Sequence, residues 1–306
     1  MHRRDFFKHL AALGLMAGAG RYWLLPRELW AMAPKDKAQP ILAKAQGMNY
    51  AQITGDAVQA LGGMKKFVNA GEVVVVKPNM AWDRAPELAA NAHPDVVRQV
   101  VELCLDAGAK KVKVLDHTCH DARKAYKNSG IQAAVEGLKD PRAVVEFVDE
   151  RRFVEMQVEG AKALKKWYFY KDILEADRFI NIPIAKHHSE SRLTMALKNM
   201  MGAIGGWRGR IHVGLHQNIA DMNLLLRPDL HVLDATRILL KNGPSGGKIG
   251  DVEVRNLVVA GADPVALDAY GTTIFGLKPG DLGYITKAFE AGRGEMDLNK
   301  IKVLGG

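Results

Sequence analysis

Cysteine is scarce in this chain of 306 residues, and several common catalytic motifs are missing. The two cysteines, Cys104 and Cys119, form no CxxC motif and allow at most one disulfide. A four-cysteine iron–sulfur cluster held by one copy of the chain is therefore excluded. No HExxH motif occurs and no GxGxxG follows a strand-like segment, so zinc proteases and dinucleotide enzymes lose support.

The first 33 residues predict an export signal of the twin-arginine type. Arg3-Arg4 precedes an aromatic residue and a lysine, and residues 10–20 form an apolar run too short to span a bilayer. We expect cleavage near Ala33, with an uncleaved membrane anchor as the alternative. Because this route carries folded proteins, the chain is predicted to be periplasmic or exported and to interact with the twin-arginine translocation machinery.

No low-complexity stretch or internal repeat divides residues 34–306. This length is sufficient for a substantial core, and we predict a single domain. The formal net charge of +9 falls to about +6 without the signal, with lysines scattered along the sequence. Nucleic acid is therefore not an expected partner.

Strand and helix patterns alternate, which predicts an α/β fold with a mostly parallel sheet and flanking helices, doubly wound or related. Residues 72–79 are a β-branched run closed by Pro78, as expected of a strand buried on both faces. His93-Pro94-Asp95 then opens an apolar-faced helix. The other predicted strands are residues 111–116, 144–148, 179–183, 230–234 and 256–261, and the other helices are residues 191–201, 219–226 and 264–275.

Polar residues follow the predicted strands where each strand ends. Ligands bind beyond the carboxyl ends of strands in open parallel sheets, so these residues are expected to assemble one site. They are Lys77, Asn79, Asp116, His117, Lys186, His187, Asp234 and Asp263.

Metal-binding side chains are densest between residues 116 and 121. Asp116, His117, Cys119 and His120 are the candidate ligands of a metal ion, because carboxylate, imidazole and thiolate groups all bind divalent metals. The alternative is a polar loop with solvent-exposed histidines.

A second cluster combines lysines with histidines near residues 186–199. Lysine ammonium groups bind carboxylates or phosphates, and histidine titrates close enough to neutrality for proton transfer. Solvated surface side chains are the alternative for each lysine. The predicted catalytic residues are His187, His188 and Lys198, and the predicted substrate-binding residues are Lys77, Asn79, His93, Lys186, Asn199, Asp234 and Asp263.

Two further patterns are weaker. Residues 242–248 resemble a phosphate-binding P-loop, but Asn242 replaces its first glycine and Ile249 its Ser/Thr, so a turn bordering the site is expected. His212 and His216 have a spacing that fits a metal on one helix face, although Gly214 weakens such a helix.

Several motifs occur in a recognisable order between residue 73 and the C-terminus. They are Lys77-Pro78-Asn79, His93-Pro94, a strand ending in Asp116, Asn181-Ile182-Pro183, Lys186-His187, residues 196–202, Asp234, Asn242-Gly243-Pro244 and residues 262–268. Together they resemble the domain of unknown function 362 family.

The resemblance implies no particular reaction. Some members of that family carry ferredoxin-type iron–sulfur segments, whose cysteines this chain lacks. A redox role would therefore need an exported redox partner or a site without cysteine. Lys198, Asn199, Asp263 and Asp268 also match family motifs, and for the two aspartates a capping or bracing role is the alternative.

These features predict an exported protein that binds a small anionic substrate at the carboxyl ends of a parallel sheet. The leading hypothesis is an enzyme acting on that substrate; its reaction class stays open, with metal-assisted acid–base or redox chemistry as candidates, and so does the cofactor, with a metal ion as one candidate. The alternative is a non-enzymatic periplasmic binding or accessory protein of an exported redox or iron–sulfur system.

Overall fold

The computed structural model describes residues 39–305, and the predicted signal, residues 1–33, lies outside them. Within the described range the chain folds into a mostly parallel sheet with helices packed on it, which confirms the predicted fold class. The helices of this range are all too short or too polar to cross a membrane.

The strands of the described range are β1 (Ile41–Gln46), β2 (Val73–Pro78), β3 (Lys111–Val114), β4 (Ala143–Val145), β5 (Phe153–Gln157), β6 (Lys166–Tyr170), β7 (Arg178–Ile182), β8 (Ile184–His188), β9 (Arg192–Thr194), β10 (Leu230–Leu239), β11 (Val252–Gly261) and β12 (Lys302–Leu304). Ten of them form the main sheet of this range in the order β12-β1-β11-β10-β7-β2-β3-β4, and β8 joins β10 to β9. Neighbours from β10 to β4 are parallel, whereas β11 runs antiparallel to both β10 and β1.

Helices connect most of the parallel strands, and β5 and β6 form a separate antiparallel hairpin. The helices are α1 (Tyr50–Ala60), α2 (Pro94–Asp106), α3 (Ala122–Asn128), α4 (Ile131–Glu136), α5 (Lys171–Glu175), α6 (Ala196–Asn199), α7 (Leu215–Leu225), α8 (Pro264–Ile274) and α9 (Gly283–Glu290).

Strand β2 lies inside the sheet and has a hydrophobic core on each face. Val74 and Val76 pack into the core beneath α1 and α2, whereas Val75 belongs to the core on the opposite face. All three valines are fully buried. The continuous β-branched run therefore forms the strand buried on both faces that the sequence predicts.

Two predicted helix starts are confirmed. The Nδ1 atom of His93 accepts a hydrogen bond from the backbone N–H of Asp95 at 3.1 Å and caps α2. Asp263 Oδ1 accepts from the N–H groups of Val265 and Ala266, both at 2.9 Å, and caps α8. Each cap satisfies backbone donors that the first helical turn leaves unpaired.

The prediction of one helix over residues 191–201 is wrong. This segment begins as strand β9, where Thr194 pairs with Lys186 of β8, and only then forms the short helix α6. The buried carboxylate of Asp268 accepts hydrogen bonds from the N–H groups of Ala196 at 2.7 Å and Leu197 at 3.0 Å. Pairing with β8 holds the first part of the segment as a strand, and the bonds to Asp268 hold the start of α6. The helix therefore begins at Ala196, later than the apolar periodicity indicates.

Candidate functional site

A cavity of about 420 Å³ lies beyond the carboxyl ends of β2, β3 and β8. This is the edge of the sheet at which the sequence predicts a site. The charged residues in its lining are Lys77, Lys186, Lys198, Arg208, Asp116 and Glu190.

At the floor of the cavity, Lys77 forms a buried ion pair with Asp116. Lys77 Nζ lies 2.8 Å from Asp116 Oδ1 and donates to Asn199 Oδ1 at 3.0 Å. Asp116 Oδ2 accepts from the N–H of Met80 at 2.8 Å. Burial lowers the pKa of Lys77, and the Asp116 carboxylate opposes that shift. The two charges of the pair cancel, and the Lys77 ammonium group is bonded within the protein.

The backbone passes very close to this ion pair at Gly202. A Cβ atom at this position would lie 1.9 Å from Asp116 Oδ1 and 2.7 Å from Lys77 Nζ. Any side chain would therefore displace the pair, which gives a physical reason for glycine here.

Three asparagines connect the strand ends beneath the cavity. Asn199 Oδ1 accepts from Asn79 Nδ2 at 2.9 Å, and Asn199 Nδ2 donates to Asn181 Oδ1 at 2.7 Å. Asn181 Nδ2 lies 2.9 Å from His231 Nδ1, and burial lowers the pKa of His231 to about 3, so this imidazole is neutral and accepts the bond. These hydrogen bonds hold the three asparagines in one arrangement.

Alternation along β8 separates the two predicted catalytic histidines. Lys186 and His188 line the cavity, whereas His187 points to the opposite side, where its Nδ1 accepts from the N–H of Gly243 at 3.1 Å. Of the two histidines, only His188 is therefore placed to meet a ligand in this cavity.

His188 is held as a neutral ring. Its Nδ1 accepts from the N–H of Glu190 at 3.1 Å, which leaves the ring proton on Nε2. Burial lowers the pKa of His188 to about 3, and the positive charges of Lys198 and Lys186 add to the effect. A histidine that titrates near neutrality was expected, and desolvation among cations is the reason that His188 does not.

Lys186 titrates near neutrality instead. Its Nζ donates to Asn79 Oδ1 at 3.1 Å and to the carbonyl of Ala90, and it lies 5.7 Å from the centre of the Trp82 ring. Burial lowers the pKa of Lys186 to about 7, and its bonding partners are neutral groups. Lys186 thus lies in the wall of the cavity without a carboxylate partner among its hydrogen-bonding groups.

Lys198 is the least satisfied cation of the site. It is 6% exposed, and within residues 39–305 its Nζ has a single polar contact, with Met201 Sδ at 3.5 Å. Burial lowers the pKa of Lys198 to about 8. Thr194, which also lines the cavity, has a buried hydroxyl without a partner in the same part of the chain. A ligand in the cavity would satisfy both groups.

The position of Lys198 depends on Asp268. The two backbone hydrogen bonds of its carboxylate, described above, hold the start of the one-turn helix that carries Lys198 and Asn199. Burial raises the pKa of Asp268 to about 7, against the lowering effect of these two bonds. Asp268 braces α6, rather than α8 in which it lies.

Four predicted substrate-binding or catalytic residues lie away from the cavity lining. Asp234 accepts from the N–H of His93 at 2.6 Å and from the N–H of Thr236 at 2.9 Å. Asp263 caps α8 and accepts from the N–H of Glu295 at 3.0 Å. Asp234 and Asp263 thus bond mainly to backbone N–H groups, and Asp234 also accepts from the Thr236 hydroxyl; these contacts support loops and helix starts. The residues placed outside the cavity are His93, His187, Asp234 and Asp263.

The predicted metal ligands do not converge. His117 Nδ1 lies 2.8 Å from the carbonyl oxygen of Ile204, and its Nε2 lies 2.9 Å from Glu150 Oε1. His120 Nδ1 accepts from the N–H of Asp83, and Asp116 is paired with Lys77. In the described part of the chain, no three His, Cys, Asp or Glu side chains form a group suited to one metal ion. The metal site stays a prediction without a supporting geometry.

Sequence reasoning missed several lining residues. Trp82 lies four residues after β2, Thr194 falls in a segment whose pattern predicts a helix, and Arg208 begins a short 3-10 helix in a glycine-rich segment. Arg208 Nη1 donates to the carbonyl of His117 at 2.7 Å and attaches this loop to the end of β3. The sequence feature that could have marked this segment as part of a site is Trp207-Arg208 with glycines on both sides.

The loop between β10 and β11 borders the cavity through Pro244, as expected of the turn at residues 242–248. Residues 243–247 read Gly-x-Ser-x-Gly, the pattern of a hydrolase nucleophile turn. That turn requires a strand followed directly by a helix, whereas this loop joins two antiparallel strands. The pattern therefore gives no support to a serine nucleophile.

The fold and the cavity define an α/β protein with a cavity lined by lysine and arginine side chains at the carboxyl ends of its strands. The chain belongs to the family described as Domain of unknown function (DUF362), which matches residues 74–273. This confirms the resemblance read from the motifs. Over 230 residues, 72% of this chain and 68% of the relative, it is 29% identical to a thylakoid-associated protein of Synechocystis sp..

Two solved structures are similar at low sequence identity. A protein from Thermotoga maritima has a TM-score of 0.46 and 11% identity, covering 82% of this chain and 61% of that protein. The lactate racemase apoprotein from Thermoanaerobacterium thermosaccharolyticum has a TM-score of 0.41 and 12% identity, covering 80% and 58%. This chain thus spans about three fifths of the length of each.

Proposed function

We propose that this protein binds a small anion, a carboxylate or a phosphate, in the cavity at the carboxyl ends of β2, β3 and β8. The observation that carries the proposal is Lys198, a buried ammonium group that lines the cavity with no oxygen acceptor among the described residues. Burying a charge without a partner is costly, and an anion in the cavity would remove that cost.

The charge balance of the lining supports an anionic ligand. The lining has four lysine and arginine side chains and two carboxylates: Asp116 is paired with Lys77, and Glu190 contacts the His212 imidazole and attracts Lys198. Lys186, Lys198 and Arg208 have no carboxylate partner within residues 39–305. A cavity with surplus positive charge and low solvent exposure attracts anions more strongly than an exposed surface does.

We further propose that the bound anion undergoes acid–base chemistry in which lysines, rather than histidines, carry the proton. The pKa of Lys186 is about 7 and that of Lys198 about 8, whereas that of His188 is about 3. A general acid or base is most effective when its pKa lies near the operating pH. His188 would then donate a hydrogen bond from Nε2 without changing its charge.

Isothermal titration calorimetry tests anion binding. Phosphate and isobutyrate are titrated at pH 8 in buffers that differ in ionisation enthalpy. We expect binding with uptake of a proton, because an anion raises the pKa of Lys198 and Lys186. Lys198→Met should bind at least tenfold more weakly, whereas Lys300→Met, at an exposed ion pair with Asp297, should match the wild type. Equal affinities for all three proteins would refute the proposal.

We also propose export by the twin-arginine route. Arg3-Arg4 and the apolar residues 10–20 support it, and the description of the Synechocystis relative as thylakoid-associated fits a membrane-related location. Replacing Arg3-Arg4 by two lysines should retain the full-length chain in the cytoplasm, whereas Arg21→Lys should not. Cell fractionation measures this, and normal export of the double-lysine variant would contradict the proposal.

A further inference from the structure

The three buried lysines of the cavity differ in what holds them. Lys77 is fixed by the carboxylate of Asp116, and Lys186 by Asn79 and the carbonyl of Ala90. Lys198 has only the Met201 thioether near its Nζ. A thioether is a weak acceptor, so the nitrogen of Lys198 is free to turn toward a ligand.

The free amine has the neighbours that a carbonyl reaction requires. Lys186 and Arg208 line the same cavity and are cations that can pair with a carboxylate. Thr194 contributes a hydroxyl without a partner, and His188 presents Nε2–H as a donor. A ligand with a carboxylate next to a carbonyl group matches these side chains. Its carboxylate would bind the cations, and its carbonyl would meet the nucleophile and the hydrogen-bond donors.

We propose that Lys198 forms an imine with a 2-oxo acid bound in the cavity. The proposal rests on the anion site described above and names its substrate class. It makes Lys198 a nucleophile, with Lys186 and Arg208 as the cations that orient the carboxylate of the 2-oxo acid.

The reaction begins with the neutral amine of Lys198. Its lone pair attacks the carbonyl carbon, and the C=O π electrons move to oxygen, which takes a proton to give a carbinolamine. The carbinolamine then loses its hydroxyl group with one further proton as water, and nitrogen forms the C=N bond. The net change consumes one amine, one carbonyl and one proton, and yields one protonated imine and one water. No oxidant or reductant is needed.

Burial supplies the neutral amine. Because the pKa of Lys198 is about 8, about a tenth of its side chains are unprotonated at pH 7, far more than for a solvated lysine. Desolvated lysines of this kind form Schiff bases with carbonyl substrates. The protonated imine would attract electrons from the adjacent C–C or C–H bond and so activate the substrate for bond cleavage or proton loss.

Reductive trapping tests the imine. The purified protein is incubated with pyruvate and sodium cyanoborohydride, digested, and examined by mass spectrometry. We expect a reduced pyruvate adduct on Lys198 at least tenfold above that on any exposed lysine. Lys198→Arg, which keeps the positive charge but cannot form this imine, should lose the adduct and retain isobutyrate binding. Lys198→Met provides a second variant should the larger arginine disturb folding.

Isobutyrate separates the two proposals, because it carries a methyl group where pyruvate has its carbonyl oxygen. Calorimetric binding of both anions without an adduct on Lys198 would overturn the imine and leave the anion site intact. Binding of neither anion or phosphate would overturn the proposed function itself. Equal labelling of Lys198 and exposed lysines such as Lys300 would also overturn the imine, since it would show ordinary surface reactivity.

Discussion

Replacing Lys198 by methionine should stabilise the folded protein at neutral pH. Methionine has a similar unbranched shape but no charge, so the cost of burying an ammonium group disappears. The pKa of Lys198 falls from 10.5 to about 8 on folding. Because one pKa unit corresponds to about 1.4 kcal/mol, the charged side chain costs roughly 3 kcal/mol at pH 7.

The pH dependence of this gain has a defined sign. Between pH 8 and 10.5 the unfolded chain holds more protons on Lys198 than the folded chain does, so wild-type stability rises with pH in that window. The advantage of Lys198→Met should therefore shrink from roughly 3 kcal/mol at pH 7 to about 1 kcal/mol at pH 10. Removing the positive charge of Lys198 also relieves the repulsion that lowers the pKa of Lys186, which adds to the gain in stability.

Urea unfolding at pH 7 and pH 10 measures the difference, followed by circular dichroism. The matched control is Lys300→Met, which should change the free energy of unfolding by less than about 1 kcal/mol because the side chain is exposed. Phosphate should stabilise the wild type but not Lys198→Met. A variant that is less stable than the wild type at pH 7, or a gain that does not change with pH, would refute the reasoning.

Three further substitutions test the architecture of the site. Gly202→Ala should displace the Lys77–Asp116 pair and cost roughly 3 kcal/mol in urea unfolding, whereas Gly280→Ala, whose Cβ has no atom within 4 Å, should cost less than about 1 kcal/mol. Asp268→Asn should cost about 1–3 kcal/mol at acid pH and less at pH 8, because burial raises the pKa of Asp268 to about 7 and ionising this carboxyl destabilises the folded chain; it should also weaken anion binding through α6. His188→Ala should weaken binding at least fivefold and His187→Ala should not, as measured by calorimetry. Equal effects within either matched pair, or wild-type stability and affinity for Asp268→Asn, would contradict these assignments.

The strands were predictable where burial on two faces leaves a continuous apolar run, as in β2 and β7. The short strand β9 was not, because its residues match a helical pattern and its extended form depends on the pairing of Thr194 with Lys186. The strands β10 and β11 extend over ten residues each, beyond their apolar segments, since each supplies the pairing partner of the other. Pairing between distant segments is the information that local patterns lack.

The site was partly predictable for the same physical reason. Lys77 and Lys186 lie near the ends of β2 and β8, and Asn79 and Asp116 just past β2 and β3. The four side chains meet at one edge of the sheet, as parallel topology requires. The division between His187 and His188 follows from strand alternation once β8 is known to end at residue 188. The roles of Asp234 and Asp263 could not be read in this way, because an aspartate at a strand end caps a helix as readily as it binds a ligand.

Hydrogen bonding in the cavity wall separates side chains that already have polar partners from side chains that a ligand could bind. Asn79, Asn199 and Lys77 are bonded to one another or to Asp116, so removing one would leave the others unsatisfied. Lys198 and Thr194 are buried yet lack such partners in the described range. A network that existed only to support the sheet would gain stability from an apolar side chain at position 198. Lys198 carries this energetic cost and faces the cavity, which is the physical reason for proposing that it binds the ligand.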